Sequence, residues 1–473
     1  MFQTGVFQAS LLHSKYDFEK RNPKMIIEQA AAVGHSGVSA VQMWTAVAIF
    51  VATYGVVLTE RINRAIVAVI GAGLMVLLGV MTQDQAVHSV DANTIGLLLG
   101  MMILVAVMKE SGVFQYVAIK SAKVVKAEPM KMLVVFALVT AVFSALLDNV
   151  TTVLLTTPVI LLITRELNVK PYPYLFTSIL ASNIGGAATL IGDPPNIMIG
   201  SAAHLGFSDF IVNVAPASVF IMAATLIPII FIWRTSLHAE ENAKQRIMRM
   251  NEKEAIQDKE LLIKSLIVMF AVLVGFVVGH SYHIMPATIA LTGAAVLLLL
   301  DNIHHGSEEQ HEKVHHAIGE AEWVTLFFFG GLFVLVHGIQ NVGVIGWLAD
   351  HMMAFTGGDK TTTIFVILWG SAILSALVDN IPFVATMIPM IQEMTPAMGG
   401  EEAVKPLWWA LSLGACLGGN GSLVGASANV MVASFAERAG HRISFLKFMK
   451  LGFPLMLATI AIAHVYVEYV YLH

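Results

Sequence analysis

"SALLDNVTTVLLTTPVI" (Ser144–Ile160) and "SALVDNIPFVATMIPMI" (Ser375–Ile391) each set an Asp-Asn pair in a run apolar enough to lie in lipid. At an offset of 231, eight of their 17 positions are identical, and each has a proline ten residues beyond its aspartate. A carboxylate at the centre of a transmembrane helix costs about 2.5–3.5 kcal/mol on insertion scales. A chain that incurs this cost twice, at matched places, points to a duplicated unit whose acids face protein or a water-filled cavity.

The rest of the chain supplies the membrane setting. Of 473 residues, 57% are hydrophobic and 12% charged, against about 25% charged in a soluble domain. The mean hydropathy is +0.75. Stretches near the roughly 20 apolar residues that span a bilayer include Met43–Leu58, Ala65–Met81, Ile211–Trp233, Ser265–Gly279, Pro286–Leu300 and Phe448–Leu472. The strand alternation of an outer-membrane barrel is absent, so the expected fold is an all-α membrane protein. Residues 1–41 hold Lys15, Lys20, Arg21 and Lys24 without the pattern of a cleaved signal peptide, and read as an N-terminal tail. The net charge of -5 comes with no basic patch, which gives no reason to expect nucleic acid. Cys416 is the only cysteine, which rules out an intrachain disulfide. No P-loop is present, so ATP hydrolysis by this chain is not expected; an associated ATPase subunit is compatible with the sequence.

The duplication extends well beyond the two stretches. Upstream, Thr94, Gly100 and Gly112 fall on Thr325, Gly331 and Gly343. Downstream, after a two-residue gap, "TLIGDPPNIMI" (Thr189–Ile199) meets "SLVGASANVMV" (Ser422–Val432). Lys and Arg mark cytoplasmic loops. If each Asp-Asn stretch is the tip of a hairpin that enters and leaves on one side, segments 59–64, 109–131, 165–174, 234–264, 302–322 and 436–450 become cytoplasmic. They carry 21 of the 27 Lys and Arg. Each half then crosses five times, an odd number, so the two halves lie inverted. The expected plan is two inverted-topology repeats, about ten transmembrane helices, two re-entrant hairpins and two broken helices. Its divisions are a tail (1–41), a first repeat (42–233), a cytoplasmic linker (234–264) and a second repeat (265–473). Residues 109–131 read as one amphipathic helix at the cytoplasmic surface. Inverted repeats with a midplane site are a common plan of secondary transporters.

A hairpin tip leaves backbone groups unpaired, tolerable only where they line a cavity or bind something. Beside them Asp148, Asn149, Thr151, Thr152, Asp379 and Asn380 offer oxygens that suit protons and hard cations. Asp148 and Asp379 also suit helix capping, a structural role compatible with ion binding. "SNIGGAATLIGDPPNIMIG" (Ser182–Gly200) is a second interruption. Pro194 and Pro195 remove two N–H donors and push Asp193 toward extended geometry, so the helix should break and restart near Asn196. Its positive end then points into the membrane. "GGNGSLVGASAN" (Gly418–Asn429) breaks the second half with Gly and Ser, including Ser422, and gives Asp193 no twin.

"DNVTT" followed by "NIGGAATLIGDPPN" resembles the ion transporter superfamily, in the branch of arsenite/antimonite efflux pumps and the P protein. Sodium/proton antiporters and citrate or dicarboxylate carriers are more distant relatives. The likeness runs from about residue 42 onward. It implies a scaffold part and a moving transport part that holds both hairpins and both broken helices. On this sequence it falls on Asp148, Asn149, Asn183, Asp193, Asn196, Asp379, Asn380, Asn420 and Asn429. The second hairpin departs from the first, with Ile381-Pro382-Phe383 where the first has Val150-Thr151-Thr152.

The expected core has acids, amides and hydroxyls but no Lys or Arg, with Arg165 the nearest, at the cytoplasmic surface. Such a core disfavours a di- or tricarboxylate and suits a neutral trihydroxy acid such as arsenous acid. One cysteine cannot build a multi-thiolate arsenic site. The expectation is therefore a multi-pass cytoplasmic-membrane transporter, not an enzyme, that needs no cofactor and exports arsenite or antimonite in exchange for protons through Asp148 and Asp379. Sodium/proton antiport is the rival, since sodium suits the same oxygens, and a passive channel is a further one. An intramembrane aspartyl protease also needs two membrane acids, but neither acid has a Gly-x-Gly-Asp context. The loop His304–His316 sets His311 and His315 four apart and reads as a solvated cytoplasmic insertion rather than a metal site.

Overall fold

The computed structural model describes residues 39–59 and 61–472. Most of the tail expected over 1–41 lies outside the described residues. The described residues are helical throughout, without a strand. Eight helices are long and apolar enough to cross a membrane, and Arg64–Leu77 and Pro286–Asn302 are shorter apolar helices. Two of the eight, Pro129–Leu146 and Lys360–Leu377, are the entering arms of the hairpins. Tyr172–Ala187 with Pro194–Ala202, and Glu401–Gly418 with Ser427–Arg438, are the broken helices. The six remaining long helices, the two short ones and the two broken ones give the expected ten crossings.

The duplication is visible in where helices begin. Ala92 and Trp323, Val113 and Val344, Pro129 and Lys360, and Asn149 and Asn380 all open helices, each pair 231 residues apart. The halves are also interwound. Helix Ala92–Glu110 packs on Pro286–Asn302, while its twin Trp323–Asn341 packs on Arg64–Leu77. Gly100 and Gly331 make these crossings close: a Cβ on Gly100 would lie 2.6 Å from the Ala290 backbone, and one on Gly331 2.6 Å from Ala68. That is a packing reason for two glycines matched in the sequence. Within each half, the entering hairpin arm packs on the first piece of the broken helix.

Ion pairs tie the Lys/Arg-rich segments together on one face. Lys109 reaches Glu320 and Lys244 reaches Glu128, both at 2.7 Å, and Arg246 lies 3.5 Å from Glu166. The opposite face is joined by other contacts, such as Tyr466 and Tyr471 donating to the Asn213 carbonyl. Outward-facing apolar side chains, among them Val219, Phe220, Phe231, Ile267 and Phe270, suit lipid.

One local expectation needs correction, and a second gains detail. Residues 109–131 are not one helix: the chain turns at Gly112, runs as a helix over Val113–Val124, and turns again before Pro129. The helix buries Phe114, Ala118 and Ala122 rather than lying free on the surface. The histidine-rich insertion is ordered as helix Ser307–Gly319, held by Lys313 to Asp301 at 3.3 Å. His311 and His315 stack there at 6.5 Å between ring centroids.

Candidate functional site

Both hairpin acids cap the helix that returns from the tip. The Asp148 carboxylate accepts from the Thr151 N–H at 2.8 Å, and that of Asp379 from the Ile381 N–H at 3.1 Å. Each cap satisfies N–H groups that a helix start leaves without partners. It also aims the positive end of a half-helix at the protein centre, with Asn149 and Asn380 as its first residues.

Twin hydrogen bonds fix the breaks against the hairpins. Thr189 donates to the Ala145 carbonyl and Ser422 to that of Ala376, both at 2.6 Å. Ser144 donates to Ser182 O at 2.6 Å, and Ser375 to Ala415 O at 2.7 Å. Thus the hydroxyl hydrogen of Ser422 is spent on positioning the break. Asn196 donates to the carbonyls of Ala187 and Thr189, and Asn429 to those of Gly419 and Ser422. Each amide thereby pairs carbonyls that its broken helix sets free.

The polar centre is assembled from both halves. Asn183 Nδ2 donates to Asn420 Oδ1 and Asn429 Oδ1, both at 3.0 Å, and Asn183 Oδ1 accepts from Asn149 at 3.4 Å. Asp193 is fully buried. Its carboxylate accepts from Asn380 Nδ2 at 3.3 and 3.4 Å, with the Asn149 amide and Cys416 beside it. Among the described residues no Lys, Arg or His makes an ion pair with Asp148 or Asp193. Asn149 Oδ1, Thr152 Oγ1 and Asn420 Nδ2 are buried without a protein partner. Of the expected residues, the fold brings together Asn149, Asn183, Asp193, Asn196, Asn380, Asn420 and Asn429. Asp148 and Thr151 meet at the first cap, and Thr152 lies one residue further along that helix.

Asp379 stands instead in a cavity of ≈ 310 Å³ lined by Tyr54, Asn63, Arg64, Val150, Glu322, Ser427 and Ser434, among others. Asn63, Glu322 and Ser434 place this cavity toward the Lys/Arg-rich face. Here the expectation of a core without Lys or Arg fails. Arg64 Nη1 lies 2.8 Å from Asp379 Oδ2 and donates to Ser427 Oγ at 2.6 Å. Arg64 was assigned to a short cytoplasmic loop, and no local pattern reveals that its long side chain turns inward. Cys416 was missed for a different reason, since the sequence does carry a signal. At the downstream offset it is the twin of Asn183. As Asn183 donates across to Asn429, the Cys416 thiol donates across to Asn196 Oδ1 at 3.5 Å.

Residues 54–414 match the profile of the citrate transporter family, CitMHS. An uncharacterized transporter of Mycobacterium tuberculosis is 41% identical over 427 residues, covering 89% of this chain and 97% of that protein. The human P protein is 32% identical over 506 residues, 90% of this chain but 59% of its own length. Among solved structures, the YdaH transporter of Alcanivorax borkumensis superposes with a TM-score of 0.52 at 15% identity, over 83% of this chain and 90% of that one. The last likeness is one of fold.

Proposed function

We propose, for a chain that belongs to the citrate transporter family and is a multi-pass membrane transporter, the export of arsenous acid or its antimony analogue in exchange for protons. The carrying observation is Asp193, a fully buried carboxylate surrounded by amides from both hairpin tips and paired with no cation among the described residues. A carboxylate in that setting is stabilised by taking up a proton or a small cation. The amides and hydroxyls around it both donate and accept, which suits a neutral trihydroxy solute. Buried acceptors on Asn149 and Thr152 add unspent capacity. Asp148 and Asp193 are the coupling acids of this reading, because Asp379 already has Arg64.

Arg64 in the cavity favours a second reading, transport of a carboxylate anion such as citrate, for which the family is named. Sodium in place of the proton is the third arm of the test. Purified protein in proteoliposomes is offered arsenite, antimonite, citrate and sodium separately, with and without an acidic lumen. Arsenite accumulation that needs the acidic lumen is the expected result. Accumulation of citrate alone overturns the metalloid assignment, and accumulation indifferent to the gradient overturns coupling. Asp148→Asn keeps a capping side chain and should fold yet lose driven transport. Full transport by that variant removes Asp148 from the mechanism.

A further inference from the structure

Arg64 joins two sets of elements that the sequence keeps far apart. It opens helix Arg64–Leu77, which packs on Ala40–Leu58 and Trp323–Asn341. On that side Arg64 Nη2 donates to Thr325 Oγ1 at 3.4 Å, Thr325 donates to Glu322 at 2.9 Å, and the guanidinium lies 5.0 Å from the Phe328 ring centroid. On the other side Nη1 holds Asp379, at the tip of the second hairpin, and Ser427, where the second broken helix restarts. Ser427 in turn donates to the same Asp379 oxygen at 2.8 Å. The guanidinium therefore bridges outer helices to the hairpin tip and the broken helix of the second half.

Among the described residues the bridge has no twin. Helix Pro286–Asn302 is the packing counterpart of Arg64–Leu77 and begins with a proline, and Asp148 is held by the Thr151 hydroxyl and backbone N–H groups, with no cation beside it among the described residues. One hairpin acid is thus pinned by charge and the other is not, and the pinned one lies in the cavity that opens toward the Lys/Arg-rich face. We propose that Arg64 is a positioning residue for transport: its pair with Asp379 latches the cytoplasm-open conformation and parts when the protein turns to the other side. The physical reason is that parting a partly buried pair leaves two uncompensated charges in a low dielectric, which is strongly unfavourable. The other ionisable groups facing Asp379 cannot replace Arg64. Glu322 and Asp193 are acids, and Tyr54 is hydrogen-bonded to Pro382 O and Thr386. This inference rests on the alternating-access reading above but not on the identity of the solute.

The test uses full-length protein in inside-out membrane vesicles, with Cys416→Ser removing the native thiol and Ser434→Cys placing one in the cavity. A membrane-impermeant maleimide then reads how often the cavity is open to the cytoplasmic side. Arg64→Gln should slow labelling about fivefold or more, the lower end of ordinary coupling, and Arg64→Lys should restore part of the rate. The double variant Arg64→Gln/Asp379→Asn leaves no lone buried charge, so it folds if charge imbalance is all that harms the single variant. It should still label slowly, because the latch is gone. Labelling of Arg64→Gln at the parent rate or faster, or recovery of the parent rate in the double variant, overturns the proposal. No solute enters the measurement, so a chain that carries something other than a metalloid gives the same pattern.

Discussion

Asn183 and Asn429 stand 246 positions apart, and the amide of one donates to the amide oxygen of the other at 3.0 Å with both side chains buried. This contact joins the broken helix of the first half to that of the second. It also organises the rest of the centre, since Asn183 serves Asn420 with its second hydrogen and accepts from Asn149.

Replacing Asn183 with leucine should therefore damage both fold and transport. It strips the donor from two buried amide oxygens, and each buried unsatisfied group costs about 1–3 kcal/mol. The expected outcome is a lower thermal midpoint in detergent together with loss of solute flux. A midpoint equal to that of the parent would show that Asn183 is not holding the halves together.

Asp193→Asn should separate stability from coupling. No cation pairs with Asp193 among the described residues, so the change orphans no charge and leaves an amide of the same shape. The folded protein should be at least as stable as the parent. Gradient-driven accumulation should be lost, because intramembrane acids of this kind serve as proton carriers and an amide cannot take up and release the proton. Retention of driven accumulation in vesicles would transfer the coupling role elsewhere.

The close approach of broken helix to hairpin arm should be equally sensitive in both halves. A Cβ on Gly185 would lie 2.2 Å from the Ala141 carbonyl oxygen, and one on Gly418 2.6 Å from that of Ala372. Backbone must shift in either case, so Gly185→Ala and Gly418→Ala should each cost about 1–3 kcal/mol. Gly330→Ala, where nothing lies within 4 Å, is the control and should change stability by less than about 0.5 kcal/mol. Thermal unfolding of the three variants side by side decides it.

The linker over residues 234–264 should loosen in acid. The hydrogen bond from Lys123, with Lys120 nearby, draws Glu252 down from the ordinary carboxylate range to about 2. A carboxylate depressed in the folded state contributes stability that is present above its unfolded pKa, near 4.5, and is lost as pH falls toward 2. Protease cleavage of residues 250–258 in inside-out vesicles should thus be slow at neutral pH and faster in Glu252→Gln. Right-side-out vesicles should protect the linker throughout, and cleavage there would reverse the orientation.

The sequence alone determined the crossings, the duplication and the inversion. Lipid offers no partner to backbone N–H and C=O groups, so spans must be helical and apolar, and hydropathy reports them directly. Asp148, Asp379 and the Gly-Asp-Pro-Pro-Asn run stood out because polar and helix-breaking residues are costly in that setting. Even Cys416 was within reach, since the repeat aligns it with Asn183. What only the tertiary structure decided is which side chains meet across the halves. Arg64 and Asp379 are 315 residues apart, and their pairing depends on how a long, flexible side chain crosses between packed helices, for which periodicity carries no signal. The commitment of Ser422 to the Ala376 carbonyl is of the same kind: composition supplied the hydroxyl, and the angle between hairpin and break decided where its hydrogen went.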